Sequence, residues 1–423
     1  MTVADLRVRP HIRFYVVVAL MLITAGTGMA TGFYLFFRLL YVLVFALAFS
    51  YIWVHRSVGY LTVNVDRRST QVNVGEAAYE TISLKNESRI PKQALEIQDL
   101  NEIPGSSGGL AVSLAGGSSS SWEVEIVPRK RGLYALGPIR IANTDPFGLF
   151  KRERLYGDKG SLTVYPKVHD LPFFEMPSAY VTGESQVRKR SHDIAPHASS
   201  VRDYASGDSL SRVHWNSTAR LGRLMSKEFD LGRASEVWIL LDLHGEFQAG
   251  DMDQSTDEYG ASIAASLASR YLNGGLPVGF VAYGDQRSFL TAETGAGQFQ
   301  RVLQLLAVSK PEGETPLDSV IPEEELLWTH RSSLVVVTSS PREAWVKALS
   351  ELTKRGVKAT AVLVDARTFG GDFDTMDTLE GLVAAGVLIY VVNKGDDIPT
   401  ALSRAYTVPS SRDQAREEVL QPA

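Results

Sequence analysis

Residues 201–229 read VRDYASGDSLSRVHWNSTARLGRLMSKEF, and no other stretch of the chain is as informative about its architecture. The segment concentrates charged and aromatic residues between glycines, and over most of its length it has neither helical nor strand periodicity. Core packing therefore does not explain its residue types. It lies between a region of short alternating strands and a region in which strands alternate with helices, so we predict a connecting segment over residues 166–234.

The region that follows, residues 235–405, alternates apolar strands with amphipathic helices. The run EVWILLD predicts a buried strand that ends on Asp242, and apolar residues at helical spacing predict a helix over about 257–273. Repeated strand–helix units predict a parallel sheet covered on both faces, which is a doubly wound α/β domain. Such sheets bind ligands at the carboxyl ends of the strands, where the strand order reverses.

The region before the connecting segment, residues 58–165, reads as short strands separated by turn residues. Runs such as LTVNV and WEVEI alternate apolar and polar side chains, which indicates strands with one buried face. The Gly- and Ser-rich tract at 105–121 predicts a loose hairpin loop. We predict a small all-β domain, an immunoglobulin-like sandwich.

The N-terminal region, residues 1–57, is almost continuously apolar between residues 14 and 54. This length predicts two transmembrane helices near 14–30 and 33–54, joined by a tight turn, because one span needs about 20 apolar residues. Arginines flank the predicted hairpin on both sides, whereas its turn carries no charge: Arg7, Arg9, Arg13, Arg56, Arg67 and Arg68. The positive-inside rule then predicts a multi-pass plasma-membrane protein whose main body lies in the cytoplasm. We expect the polar end, residues 406–423, to be a flexible tail.

Composition limits the function further. The chain has 423 residues, a formal net charge of -5 and no cysteine. The absence of cysteine excludes disulfides and thiolate chemistry, and the mild negative charge argues against a nucleic-acid partner. The run from Gly105 to Gly109 matches G-x-S-x-G, but a nucleophile elbow needs a strand before it and a helix after it. We therefore predict no catalytic residue there, and we expect no enzyme.

The pattern R-x-Y-x-x-G-D-x-x-x-R-x-x-W-x-x-T-A-R, which runs from Arg202 to Arg220, resembles the signature of the DUF58 family. The resemblance implies a membrane-anchored protein with a von Willebrand A-like α/β domain. It also implies a partner, because family members are commonly encoded beside MoxR-type AAA+ ATPases and are thought to act with them as adaptors. The site residues carried by the signature are Arg202, Tyr204, Gly207, Asp208, Arg212, Trp215, Thr218, Arg220, Lys227 and Glu228.

Two interpretations of these signature residues remain open. The arginines and Lys227 form an exposed surface that recognises a partner protein, or Asp208 pairs with arginines and Trp215 fills a small core, which makes the segment a clasp between domains. In the second interpretation Tyr204 is a packing residue as well.

The resemblance also implies a metal loop of the form D-x-S-x-S, completed by a distant threonine and a further aspartate. Asp242 matches its first position, but His244 and Glu246 replace the serines. Thr315 matches the threonine, and Ser339 or Ser340 replaces the last aspartate. A Mg²⁺ site at Asp242, Glu246 and Thr315 is thus an alternative. We favour the interpretation that Asp242 caps the following segment or pairs with a signature arginine, and we expect no cofactor.

The leading hypothesis is a non-enzymatic adaptor of the cell envelope, anchored in the lipid bilayer, that binds a MoxR-type ATPase in envelope protein assembly or maturation. The alternatives are a metal-dependent hydrolase with a divergent site near Asp242, or a purely structural envelope component.

Overall fold

Two apolar helices begin the chain, α1 (Ile12–Thr31) and α2 (Tyr34–Ser57). Their mean hydropathy reaches 1.8 and 2.2, and only 11% and 6% of their most apolar windows are buried, so neither is the core helix of a soluble domain. At ~1.5 Å per residue both are long enough to cross a bilayer. Gly28 of α1 packs against Phe36 and Phe37 of α2, where a Cβ would lie 3.3 Å from Phe36. The two expected apolar helices are confirmed.

The computed structural model describes residues 4–5, 8–105, 109–174, 200–204, 213–228, 236–329 and 332–406. Twelve strands make up the β body, and two of them lie in the short segments before α1. They are β1 (Ala4–Asp5), β2 (Arg9–Pro10), β3 (Leu61–Arg67), β4 (Gln71–Asn73), β5 (Ala78–Asn86), β6 (Lys92–Asp99), β7 (Gly109–Leu114), β8 (Ser119–Ile126), β9 (Gly132–Leu136), β10 (Ile139–Thr144), β11 (Phe150–Tyr156) and β12 (Gly160–Tyr165).

These strands form three sheets. The largest has the order β1-β11-β10-β6-β7, with β2 also paired to β11, and the other two have the orders β3-β5-β8 and β4-β12-β9. Leu84 of the second sheet and Leu95 and Ile141 of the first are fully buried in one shared core, so these sheets pack face to face. The Gly- and Ser-rich tract expected as a loop contains β7, because Leu110, Val112 and Leu114 alternate with small or polar residues and pair with β6.

The end of α2 is fixed to the β body by buried cations. Lys92 Nζ donates to the carbonyl oxygen of Arg56 at 2.5 Å, and Arg152 donates to that of His55. Lys92 and Arg152 are 2% and 5% exposed. The last carbonyls of a helix have no partner within the helix and carry partial negative charge, so two cations from β6 and β11 complete this terminus.

The α/β body begins after the short antiparallel pair of β13 (Ser200–Asp203) and β14 (Met225–Glu228), between which α3 (Trp215–Leu221) lies. Its strands are β15 (Val237–Asp242), β16 (Gly250–Asp251), β17 (Gln254–Ser255), β18 (Val278–Tyr283), β19 (Arg287–Glu293), β20 (Ser333–Thr338), β21 (Lys358–Val364) and β22 (Leu388–Val392). Its helices are α4 (Thr256–Asn273), α5 (Ala296–Val308), α6 (Leu317–Glu323), α7 (Glu343–Lys354), α8 (Met376–Ala384) and α9 (Ile398–Ala401).

Six of these strands form one sheet in the order β19-β18-β15-β20-β21-β22. The strands are parallel except β19, which runs antiparallel at the edge, so the expectation of an all-parallel sheet is wrong for that strand. A turn at residues 284–286 returns the chain directly to β18, and this hairpin requires an antiparallel neighbour. Buried residues of α4, α5 and α9 cover one face, and those of α6, α7 and α8 cover the other.

Arg131, in the turn before β9, joins the β body to the α/β body. Its side chain is 2% exposed, and Nη1 lies 2.8 Å from Glu258 Oε1 in the first turn of α4. The guanidinium also donates to the carbonyl oxygens of Asp257 at 2.8 Å, Leu306 at 3.0 Å and Ser309 at 3.3 Å. One arginine thus contacts the start of α4 and the end of α5 at once.

Candidate functional site at the strand-order reversal

The candidate site lies where the order of the sheet reverses. The chain adds β18 and β19 on one side of β15, and later β20, β21 and β22 on the other, so the reversal falls between β15 and β20. These two strands are parallel, with Leu241 opposite Val337, and their last residues are Asp242 and Thr338. Loops leaving the two strands diverge here, which is the geometry that forms binding crevices in sheets of this kind.

Asp242 is buried at this point, and both of its carboxylate oxygens accept hydrogen bonds. Oδ2 accepts from Thr338 Oγ1 at 2.7 Å, and Oδ1 accepts from the backbone N–H of His244 at 3.0 Å. Burial raises the pKa of the Asp242 carboxyl above its ordinary value, and the two hydrogen bonds offset this only in part. Asp242 therefore ties β15 to β20 and to its own following turn.

The turn after Asp242 is fixed to a second loop. The N–H of Gly245 donates to the carbonyl oxygen of Gly313 at 2.9 Å, and the N–H of Gly313 donates to that of Leu243 at 3.1 Å. A Cβ on Gly313 would lie 3.0–3.1 Å from three backbone oxygens, so this close approach requires glycine. Thr315 lies in the loop before α6, and this pairing places that loop beside the end of β15.

Several buried polar atoms near these strand ends have no hydrogen-bond partner: His244 Nδ1, Ser339 Oγ and Asp318 Oδ1. His244 stacks on Phe247, with ring centroids 5.1 Å apart. Unpaired buried polar atoms cost stability, and they concentrate at sites that a ligand or water completes. Sequence reasoning noted His244 and Ser339 only as departures from a metal loop.

Glu246 does not join Asp242. Its carboxylate lies 2.8 Å from Arg342 Nη2 in an exposed ion pair, and the same guanidinium lies 5.0 Å from the centre of the Phe247 ring. Thr315 is half-buried in the neighbouring loop. Within the described parts of the chain, no three His, Asp or Glu side chains are grouped so that they could hold a metal ion. The structure therefore pairs Glu246 with Arg342 and does not bring it to Asp242.

The structure places the signature residues in a separate small unit. Arg202 is in β13 opposite Ser226, and Lys227 and Glu228 are in β14. Tyr204 is half-buried, and its N–H donates to the carbonyl oxygen of Leu224 at 3.0 Å. Gly207, Asp208 and Arg212 lie outside the described residues.

The helix α3 of this unit presents its aromatic residue to solvent. Trp215 is 64% exposed, so the interpretation in which it fills a small core is wrong for this side chain. Arg220 is also exposed, whereas Thr218 Oγ1 accepts from the N–H of Met225 at 3.0 Å and holds α3 against β14. His214 caps the start of α3, with Nδ1 accepting from the N–H of Ser217 at 3.2 Å.

Sequence reasoning did not identify Thr338 and Arg342, which contact the candidate site residues Asp242 and Glu246, or Arg131, which joins the two bodies. Thr338 ends the strand parallel to β15, so a correct strand order would have placed it beside Asp242. Arg342 follows four residues later, at the start of α7, and no local pattern marks it.

Comparison with known proteins gives three results. Residues 200–368 match the family described as protein of unknown function DUF58. The chain is 24% identical over 268 residues to the uncharacterized protein YeaD of Bacillus subtilis (strain 168), over 60% of this chain and 64% of that protein. The match therefore spans less than two thirds of that relative's length.

Among solved structures, the CARDB domain of the PF1109 protein from Pyrococcus furiosus is 16% identical and covers 25% of this chain and 91% of that one, with a TM-score of 0.19. Proximal thread matrix protein 1 from the mussel byssus is 11% identical and covers 40% of this chain and 45% of that one, with a TM-score of 0.28. Neither score is high enough to indicate a shared overall fold.

Proposed function

We propose that this chain, whose residues 200–368 match the DUF58 family of unknown function, is a membrane-anchored, non-enzymatic adaptor. Its α/β body is a von Willebrand A-like domain that binds a protein partner, and the foremost candidate is a MoxR-type AAA+ ATPase. The helices α1 and α2 cross the plasma membrane and hold the body on the cytoplasmic side, where it serves envelope protein assembly or maturation.

The topology of the large sheet supports the von Willebrand A-like assignment. Its strands run in the order third, second, first, fourth, fifth, sixth along the chain, and the third is antiparallel at the edge. The face-to-face packing of two antiparallel sheets around Leu84 and Leu95 supports an immunoglobulin-like sandwich for the β body.

The hairpin geometry supports the proposed membrane orientation. The segment before α1 pairs with β11 through β1 and β2, and α2 runs directly into the β body. Both ends of the hairpin therefore lie on the same side as the folded domains. Arginines flank these ends, which is the charge distribution of a cytoplasmic face.

One observation carries the adaptor proposal over the enzyme alternative: both oxygens of Asp242 accept hydrogen bonds from groups of the protein itself. Each oxygen keeps a second lone pair, but a carboxylate that acts as a base must be within reach of its substrate, and Asp242 is only 5% exposed. Here the pair with Thr338 instead fixes the relative position of two strand ends. Such a preformed edge favours docking of a protein partner, because the backbone of a pre-organised interface moves little on binding.

The signature unit supplies the type of surface that such docking needs. Trp215 is 64%, Leu221 53% and Leu224 43% exposed, and Arg220 is exposed beside them in sequence. Tryptophan and arginine dominate the binding energy of protein interfaces, so Trp215 and Arg220 are candidates for contact with a partner.

A capture experiment from native membranes tests the proposal. The full-length chain is compared with the double variant Trp215→Ala, Arg220→Glu and with a matched control, Leu326→Ala, Lys354→Glu, which removes an exposed apolar side chain and an exposed cation elsewhere on the α/β body. We expect the wild type and the control to recover an AAA+ ATPase. The amount recovered by the double variant should be lower by about tenfold or more.

Equal recovery with both variants would remove the signature unit from the interface. Failure of the wild type to recover any AAA+ ATPase would overturn the adaptor proposal and favour the structural or hydrolytic alternatives.

A further inference from the structure

A small cavity lies at the junction between α2 and the β body. Its volume is about 160 Å³, and its walls are mainly Phe49, Ile52 and Trp53 of α2, Ile90 and Pro91 before β6, and the side chain of Arg56. This is roughly five times the volume that one water occupies in the liquid, which is enough for a short stretch of an acyl chain but not for a protein element.

The position of the cavity along α2 is set by helix geometry. Phe49, Trp53 and Arg56 are spaced by four and three residues, so they share one face of the last two helical turns. Apart from Arg38 and Ser50, the rest of α2 toward its beginning is apolar or aromatic, and the folded body starts immediately after its end. In a membrane-spanning α2 the cavity therefore lies where acyl chains meet headgroups, the depth at which tryptophan is enriched.

Arg56 gives the cavity an available positive charge. Its side chain is exposed, and no acidic side chain of the described residues forms an ion pair with it. Its backbone is held in place, because the buried Lys92 donates to its carbonyl oxygen at 2.5 Å. The guanidinium is thus attached to a fixed point beside an apolar wall. An arginine binds a phosphate through two parallel hydrogen bonds.

We propose that this cavity binds an anionic phospholipid of the surrounding leaflet, with an acyl chain between α2 and Ile90 and the headgroup phosphate on Arg56. The inference rests on the proposed insertion of α1 and α2 in the membrane. An acyl chain matches the apolar walls, and a phosphate that is not neutralised by an ammonium of its own headgroup matches the cation at their edge, which favours an anionic over a zwitterionic lipid. A partner protein would need a much larger surface.

Native mass spectrometry of the full-length chain in detergent tests the site with two lipids of identical acyl chains, phosphatidylglycerol and phosphatidylcholine. Arg56→Gln removes the phosphate partner, and Ile90→Asp places a carboxylate at the apolar wall. Their controls are Lys85→Gln, which removes an exposed cation of the β body, and Val127→Asp. Ile90 and Val127 are 46% and 47% exposed, so both aspartates are added at similarly accessible positions.

We expect phosphatidylglycerol to remain bound to the wild type and to both controls, and the bound fraction to fall about tenfold in Arg56→Gln and Ile90→Asp. Equal retention of the two lipids by the wild type, or retention in Arg56→Gln equal to that in Lys85→Gln, would overturn the proposal.

Flotation with phospholipid vesicles separates this proposal from the one on which it rests. All five proteins should float with the vesicles, because none of the substitutions alters the apolar length of α1 or α2. If they float but no selective retention of phosphatidylglycerol is seen, the cavity proposal fails and membrane insertion stands. If the wild type does not float, membrane insertion itself fails.

Discussion

Thr338 donates a hydrogen bond of 2.7 Å to the carboxylate of Asp242, and this bond joins the carboxyl ends of β20 and β15 where the strand order reverses. Thr338 Oγ1 also accepts from the N–H of Ser340 at 2.9 Å, so the hydroxyl connects both strands to the turn that leads into α7. All of these groups are buried. At this point of the edge where doubly wound sheets bind ligands, Asp242 is therefore held by groups of the protein itself.

Replacing Thr338 by valine should destabilise the α/β body. The valine keeps the shape of the side chain but leaves Asp242 Oδ2 without a donor and the N–H of Ser340 without an acceptor, which we expect to cost about 2 kcal/mol of the free energy of unfolding. Urea unfolding of the full-length chain in detergent measures it. Thr338→Ser retains the hydroxyl and should lose less than half as much; equal losses would mean that packing rather than the hydrogen bond matters.

The stability of the protein should fall with rising pH through Asp242. Burial raises the pKa of this carboxyl above its ordinary value of 3.8, so the folded state binds the proton more tightly than the unfolded state. Its protonation then favours folding at low pH, and this contribution is lost as the pH rises from about 4 through the raised pKa. Asp242→Asn does not titrate, so its stability relative to the wild type should increase between about pH 4 and pH 7.

Urea unfolding at several pH values measures that difference. Asp253→Asn is the control for the loss of an exposed aspartate. A difference between Asp242→Asn and the wild type that does not change with pH would contradict the raised pKa.

Arg131→Met should loosen the contact between the two bodies. The substitution leaves the buried Glu258 carboxylate without its 2.8 Å partner and frees the carbonyl oxygens at the end of α5. Burial already raises the pKa of Glu258, and Arg131 is the strongest influence that lowers it. Breaking a buried pair in this way costs at least ~3 kcal/mol.

Unfolding by urea and limited proteolysis between residues 166 and 236 should both report the change. Lys130→Gln is the matched control, because Lys130 Nζ is 3.8 Å from Asp257 Oδ2 and its side chain is 37% exposed. It should cost ~0.5 kcal/mol or less. A similar effect of both substitutions would show that Arg131 does not hold the bodies together.

Titration with Mg²⁺ should show no saturable binding below about 1 mM, the weak end of protein sites for hard divalent cations. Asp242 is buried, whereas Glu246 is exposed and paired with Arg342, so the two carboxylates do not face a common metal position. Isothermal titration calorimetry of the full-length chain measures it. Saturable binding that disappears in Asp242→Ala would restore the metal-site alternative.

Local periodicity was sufficient for much of the secondary structure. The apolar run of the N-terminal region predicts α1 and α2, and the run that ends on Asp242 predicts β15, because length and side-chain spacing alone distinguish these elements. Sequence reasoning failed where composition hid the pattern, as in β7, whose small residues resemble a loop. It also missed α6, because this helix has only seven residues and a proline near its end, which is too short a stretch to show a helical period.

By itself, then, the sequence determined the apolar hairpin, the alternation of strands and helices, and the resemblance of the signature to the DUF58 family, since each depends on residues close together in the chain. Only the tertiary structure decided that Asp242 meets Thr338, 96 residues away, and that Arg131 reaches Glu258 across 127 residues. These contacts depend on strand order and on how two bodies pack. The sequence around a carboxylate at a strand end does not show whether that carboxylate is available to a ligand or hydrogen-bonded by the protein. The neighbouring strand decides this, because it supplies the threonine that donates to Asp242.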